Sequence, residues 1–102
     1  MISYGKDFAL QQEQHGIVIP RGIASQRQLF EVYADKLKFP GYFGYNWNAF
    51  DECINDLSWL NRERIDIYHE DRLENLPRQD REIYLELLEE AESIVAHVPA
   101  ET

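Results

Sequence analysis

Six polar residues between positions 46 and 56 carry the strongest chemical signal in this 102-residue chain: Asn46, Asn48, Asp51, Glu52, Asn55 and Asp56. Place residues 47–57 on a helical wheel at about 100° per residue, starting from Trp47. Asn48, Asp51, Glu52, Asn55 and Asp56 then fall between roughly 40° and 180°, while Trp47, Ala49, Phe50, Cys53, Ile54 and Leu57 fill roughly 200° to 360°. One side of the expected helix belongs to a core, and the other bears only carboxylates and amides. No Lys or Arg occurs from Phe39 through Asn61 to neutralise it. The preceding loop adds Tyr42 and Tyr45, whose rings can stand at the edge of that face. Carboxylates beside aromatic rings suit capture of arginines and lysines from a protein partner. The plainer reading is a solvated helix face, with an aromatic loop that packs and turns on Gly41 and Gly44.

Other chemistry has less support. Cys53 lies within the apolar arc, as a buried inert thiol would. His15, His69 and His97 are scattered, with no second ligand at i+3 or i+4, so no metal is expected. No phosphate-binding loop, nucleophile elbow or zinc-binding H-E-x-x-H occurs, and no cofactor is implied. Glu86, Glu89, Glu90 and Glu92 read as a solvated face. A carboxylate hydrolase remains an alternative without positive support, and the chain does not read as an enzyme.

Composition agrees. With 44% hydrophobic residues the chain can bury a core, which excludes a disordered protein. Its net charge of −9 repels a phosphate backbone and disfavours nucleic-acid binding. The same charge attracts a basic protein. One cysteine excludes a disulfide framework. The apolar runs are too short to span a membrane, and no leader segment is visible, so a cytoplasmic protein is expected.

The elements that must position the face follow from punctuation. Ile17-Val18-Ile19, between Gly16 and Pro20, fits a strand covered on both faces, as in a parallel sheet. Ser25 and Gln28 make a capping box opening a helix through Leu29, Phe30, Tyr33 and Leu37, which should stop before Pro40. Asn46 caps the second helix, from about Trp47 to Leu57. Residues 65–68 read as a strand and 71–76 as a short helical turn. A helix then opens at Pro77 and runs to about Glu92. Ile94–Val98 reads either as more helix or as a further strand. Residues 1–14 read as a loosely ordered extension, in which Phe8–Leu10 is the one candidate strand. The order is that of an α/β domain.

The stretch from Phe39 to Ile54, with its Phe-Pro, paired aromatics, Gly, Asn, Ala, acid, Cys and aliphatic, resembles the signature of the barstar family. The resemblance implies one α/β domain over residues 1–102, with a small parallel sheet of two to three strands packed with three to four helices. It also implies an intracellular inhibitor of a barnase-like ribonuclease that inserts an acid of the second helix where the substrate phosphate sits. Glu52 holds that position. Tyr42 matches the tyrosine that stacks on the enzyme, and Asn46 matches the capping asparagine that touches it. Asn48, Asp51 and Asn55 share the contact face, joined by an acid of the last helix, Glu89 or Glu90. Asn48 stands where the best-known inhibitor has aspartate, and Asp51 where it has tryptophan. A different bacterial toxin is therefore an alternative target.

Overall fold

A computed structural model describes residues 2–5, 16–41, 43–56 and 64–99. Four strands and three helices occur among them: β1 (Ile2–Gly5), β2 (Gly16–Ile19), α1 (Gln26–Lys36), α2 (Trp47–Asn55), β3 (Ile65–His69), α3 (Arg78–Glu90) and β4 (Ile94–Pro99). The strands form one parallel sheet in the order β1-β4-β3-β2. The α/β class stands, with one strand more than the two or three expected.

The additional strand is β1, whose four residues have too little pattern to declare themselves. It forms because β4 offers a parallel edge, in the register Ile2↔Ala96 to Gly5↔Pro99. Part of the supposed extension 1–14 is therefore sheet, while Phe8–Leu10 lies outside the described residues. The ambiguity at Ile94–Val98 resolves as strand. α3 ends at Glu90, Ala91 is already extended, and Ile94 pairs beside Ile65 in the interior of the sheet. Leu57, the expected end of the second helix, lies outside the described residues; α2 closes at Asn55 with Asp56 as its cap.

Side-chain alternation assigns the faces of the sheet. Ile17 and Ile19 of β2, Ile65 and Ile67 of β3, and Ile94 and Ala96 of β4 join one core with Leu29, Phe30, Tyr33, Phe50, Ile54, Tyr84 and Leu88 of the helices. The alternate residues Asp66, Tyr68 and His97 lie on the other face, where Tyr68 stacks on His97 with ring centroids 4.4 Å apart. Gly16 is required where β2 passes β3, because a Cβ there would collide with the Asp66 carbonyl oxygen and the Tyr68 ring.

The cap of α1 is present with one change of partner. Ser25 Oγ accepts from the Gln28 N–H at 3.2 Å, and Gln28 Oε1 accepts from the Ala24 N–H rather than that of Ser25. The helix stops earlier than Pro40 demands. Lys38 enters the left-handed region (φ 56°), the Phe39 N–H donates to the Ala34 carbonyl at 3.2 Å, and the Phe39 ring packs on Tyr33. That is a Schellman closure with lysine where glycine is usual. The expected helical turn at 71–76 is a hydrogen-bonded turn, with buried Leu73 also left-handed (φ 62°).

Candidate functional site

The acidic face is held by what lies behind and before it. Asn46 Oδ1 accepts from the Ala49 N–H at 2.8 Å and caps α2, as side-chain oxygens at this position do. On the core side Phe50 is fully buried, with the Tyr33 ring edge-on at 4.8 Å and the Trp47 and Tyr84 rings within 6 Å. Trp47 Nε1–H donates to Asp80 Oδ1 of α3 at 3.3 Å. These contacts fix the roll of α2, so Asn48, Glu52, Asn55 and Asp56 face solvent while Asp51 is half-buried. Asn55 Nδ2 donates to both the carbonyl and Oδ1 of Asp51 at 2.8 Å, which holds that carboxylate along the helix.

An open concavity of about 650 Å³ runs beside this face. Asn46, Asn48, Glu52, Asn55 and Asp56 supply its polar wall, and Phe43 and Cys53 part of its apolar lining. Burial, reinforced by the Glu52 and Asp56 charges, pushes the Cys53 thiol up, so it stays protonated and unreactive. The concavity has the shape and sign to seat a cationic side chain: two carboxylates and three amides, with a partly apolar lining.

The loop contributes differently from the glycine-turn reading. Neither Gly41 nor Gly44 takes a positive φ; the left-handed residue is Tyr45 (φ 55°), exposed with its ring 4.9 Å from Phe43. The Arg27 guanidinium lies 5.2 Å from the Tyr45 ring centroid and pairs with Glu31. Tyr42 lies outside the described residues. Glu89 and Glu90 are exposed on the last turn of α3, and neither lines the concavity. The structure thus gathers Asn46, Asn48, Glu52 and Asn55, with Asp51 tethered to the group.

Sequence reasoning missed a buried polar chain. His69 is buried on the helix-covered face, its Nδ1 3.0 Å from the His97 carbonyl and its Nε2 2.6 Å from the Tyr84 hydroxyl. A carbonyl can only accept, so Nδ1 carries the proton and Tyr84 donates to Nε2. Tyr84 in turn accepts from Tyr33 at 2.6 Å. Burial lowers the His69 pKa to about 4, chiefly by penalising the imidazolium. The signal was available: position 69 shares the parity of Ile65 and Ile67, on the apolar side of β3. Across the sheet, Asp66 accepts from His97 Nε2 at 2.9 Å and from Arg64 at 2.7 Å. Burial pulls the Asp66 carboxyl up, but the hydrogen bonds from Arg64 and His97, with the Arg64 charge, hold it below the usual range. Among the described residues no three His, Cys, Asp or Glu side chains converge to hold a metal, and no helix is long and apolar enough to cross a membrane.

Fold and site together define a class: a small α/β protein whose parallel sheet backs a helix with an acidic, amide-rich outer face. The family model described as Barstar (barnase inhibitor) matches residues 17–100, nearly the whole chain. The chain belongs to the Barstar family. Among curated proteins none matches it.

Proposed function

We propose that this protein inhibits a barnase-like ribonuclease inside the cell, as a single domain, by laying the acidic face of α2 over the nuclease active site. The observation that carries the reading is the concavity in which Glu52, with Asp56, Asn48 and Asn55, stands above a fully packed helix back. A ribonuclease gathers cationic side chains to hold phosphate, and the Glu52 carboxylate would replace that phosphate among them. Asn46, Asn48, Asp51 and Asn55 would fill the contact around it, with Tyr42 stacking from the loop and Glu89 reaching the enzyme from α3. Net charge −9 steers a cationic enzyme in and raises the association rate.

Titration calorimetry against a catalytically disabled barnase-type ribonuclease tests this at low and raised salt. Expected is one-to-one binding that weakens with salt, and that loses about 2–5 kcal/mol in Glu52→Ala because a buried cation is left unpaired. Tight binding unchanged by Glu52→Ala and by Tyr42→Ala would overturn it.

A second reading keeps the face and changes the target: immunity to a different bacterial toxin. Asn48 and the Asn55-tethered Asp51 favour it, since both depart from the best-known inhibitor at the contact. Binding to the product of a neighbouring toxin gene, with none to the ribonuclease, would establish this reading. The hydrolase alternative shares Glu52 and the concavity, and turnover by the free protein would be its only support.

A further inference from the structure

Three residues other than glycine take left-handed backbone among the described residues, and the fold accounts for two of them. Lys38 closes the end of α1, and Leu73 carries its side chain into the core. Tyr45 (φ 55°) does neither, because it precedes a helix and its side chain is exposed. Among the described residues it is the one large hydrophobic side chain left exposed, with 40% of its surface open. A bulky residue in this region is an outlier that persists only where its surroundings impose it.

Asn46 imposes it. Its Oδ1 caps α2 on the Ala49 N–H at 2.8 Å, while its Nδ2 donates to the Gly44 carbonyl at 3.3 Å, so the chain is held on both sides of Tyr45. The Tyr45 ring then lies 4.9 Å from that of Phe43, which is itself edge-on to Phe30 and Phe39 of the core at 5.6 and 5.0 Å. An apolar residue just before a helix cap ordinarily staples onto the fourth helical residue, here Phe50. The Tyr45 ring is turned instead to Phe43 and Arg27.

Phe43, Gly44 and Asn46 all line the concavity beside α2, but Tyr45 in their midst does not. Its ring stands on the rim, toward the first turn of α1. The sequence suggests that ring as a seat for a partner's cation. Arg27 of this chain already holds the place, 5.2 Å from the centroid and 3.4 Å from Glu31. Charge therefore changes sign across Tyr45, from the carboxylates of the concavity to a guanidinium. A basic surface fits the first side and is repelled by the second.

We propose that Tyr45 is a specificity-determining anchor of the interface, its ring packing on an apolar lip beside the partner's basic cleft. The inference rests on the ribonuclease reading and adds to it a contact whose strength does not come from charge. An aromatic ring already held in place loses little freedom on binding, and such rings dominate interface energetics.

Calorimetry of the full chain against a catalytically disabled barnase-type ribonuclease, at low and raised salt, tests the anchor. Tyr45→Gly should weaken binding about ten- to a hundredfold, and by the same factor at both salt concentrations, because an apolar contact is not screened. The loss in Glu52→Ala should shrink as salt rises. Tyr45→Phe, which keeps the ring, should bind as the wild type does. Glycine is at ease in the left-handed region, so the Tm of Tyr45→Gly should stay within about 5 °C of the wild type despite the lost ring contacts. Wild-type affinity in Tyr45→Gly, with Glu52→Ala still weakened, would overturn the anchor alone. A loss that vanishes at raised salt would assign Tyr45 to electrostatics, and a larger fall in Tm would assign it to folding; either overturns the anchor. No binding by the wild type would overturn the ribonuclease reading, and the anchor with it.

Discussion

Tyr84 donates its hydroxyl proton to His69 Nε2 at 2.6 Å, a direction imposed by the His97 carbonyl at the other nitrogen of the ring. Because His69 Nδ1–H is committed to the His97 carbonyl, the order runs Tyr33 to Tyr84 to His69 to β4. A second proton on His69 would reverse the Tyr84 bond and leave two hydroxyl protons competing between the tyrosines.

Acid should therefore destabilise the fold before the carboxylates titrate. The unfolded chain takes up a proton at His69 near its ordinary value of 6.5, whereas the folded protein resists until about 4. Stability is complete above about pH 6.5 and falls as the pH drops toward 4, by about 3 kcal/mol from this residue. Urea unfolding across that range measures the loss, and the His69 ring signals in NMR should not titrate above about pH 4.5. An ordinary His69 titration near 6.5 would refute the buried-acceptor role.

The direction of the chain also ranks two conservative substitutions. Tyr84→Phe strands both the Tyr33 donor and the His69 acceptor, and should cost about 2–4 kcal/mol. Tyr33→Phe removes only a terminal donor, leaves Tyr84 still bonded to His69, and should cost about 1 kcal/mol. Denaturant midpoints at neutral pH decide; equal losses would mean the assigned direction is wrong.

At the end of α1, Lys38 holds a position made for glycine. Lys38→Gly should stabilise the protein by about 1 kcal/mol, since its exposed side chain is replaced by a residue at ease in the left-handed region. Thermal unfolding reads this as a rise in Tm. A fall would show that the lysine side chain contributes a contact.

Asn46 serves the cap and the proposed contact at once, and two substitutions separate these roles. Asn46→Ala should cost about 1 kcal/mol of stability by stranding the Ala49 N–H. Asn46→Asp keeps the cap oxygen and gives up only the exposed 3.3 Å bond to the Gly44 carbonyl, so the cap's stability is kept and a change in its nuclease affinity reports on the contact. Unfolding and calorimetry on the same two proteins give both numbers.

The parts legible in the sequence were those whose information is local. The Ser25 and Asn46 caps, the segregated wheel of α2, the β-branched run of β2 and the partial alternation of β3 each appear within a dozen residues. What was not legible depends on distant partners. Ile2–Gly5 is strand because β4 lies beside it, and Ile94–Val98 fits helical spacing until β3 supplies an edge. At the site, the wheel placed Asn48, Glu52 and Asn55 without help, but not the concavity, which needs Phe43 and Gly44 of the loop. His69 looked like one scattered histidine because its partners are 15 and 28 residues away.

The order β1-β4-β3-β2 sets the last strand between the first and the third. β1 precedes the other three in the chain, yet among the described residues its neighbour in the sheet is β4, the last of them. β2 and β3 both precede β4 in the chain, and without β4 the inner edge of β3 is open. The His97 carbonyl that fixes the His69 proton belongs to that same strand. Closing the sheet and setting the acceptor in its core therefore depend on one and the same strand.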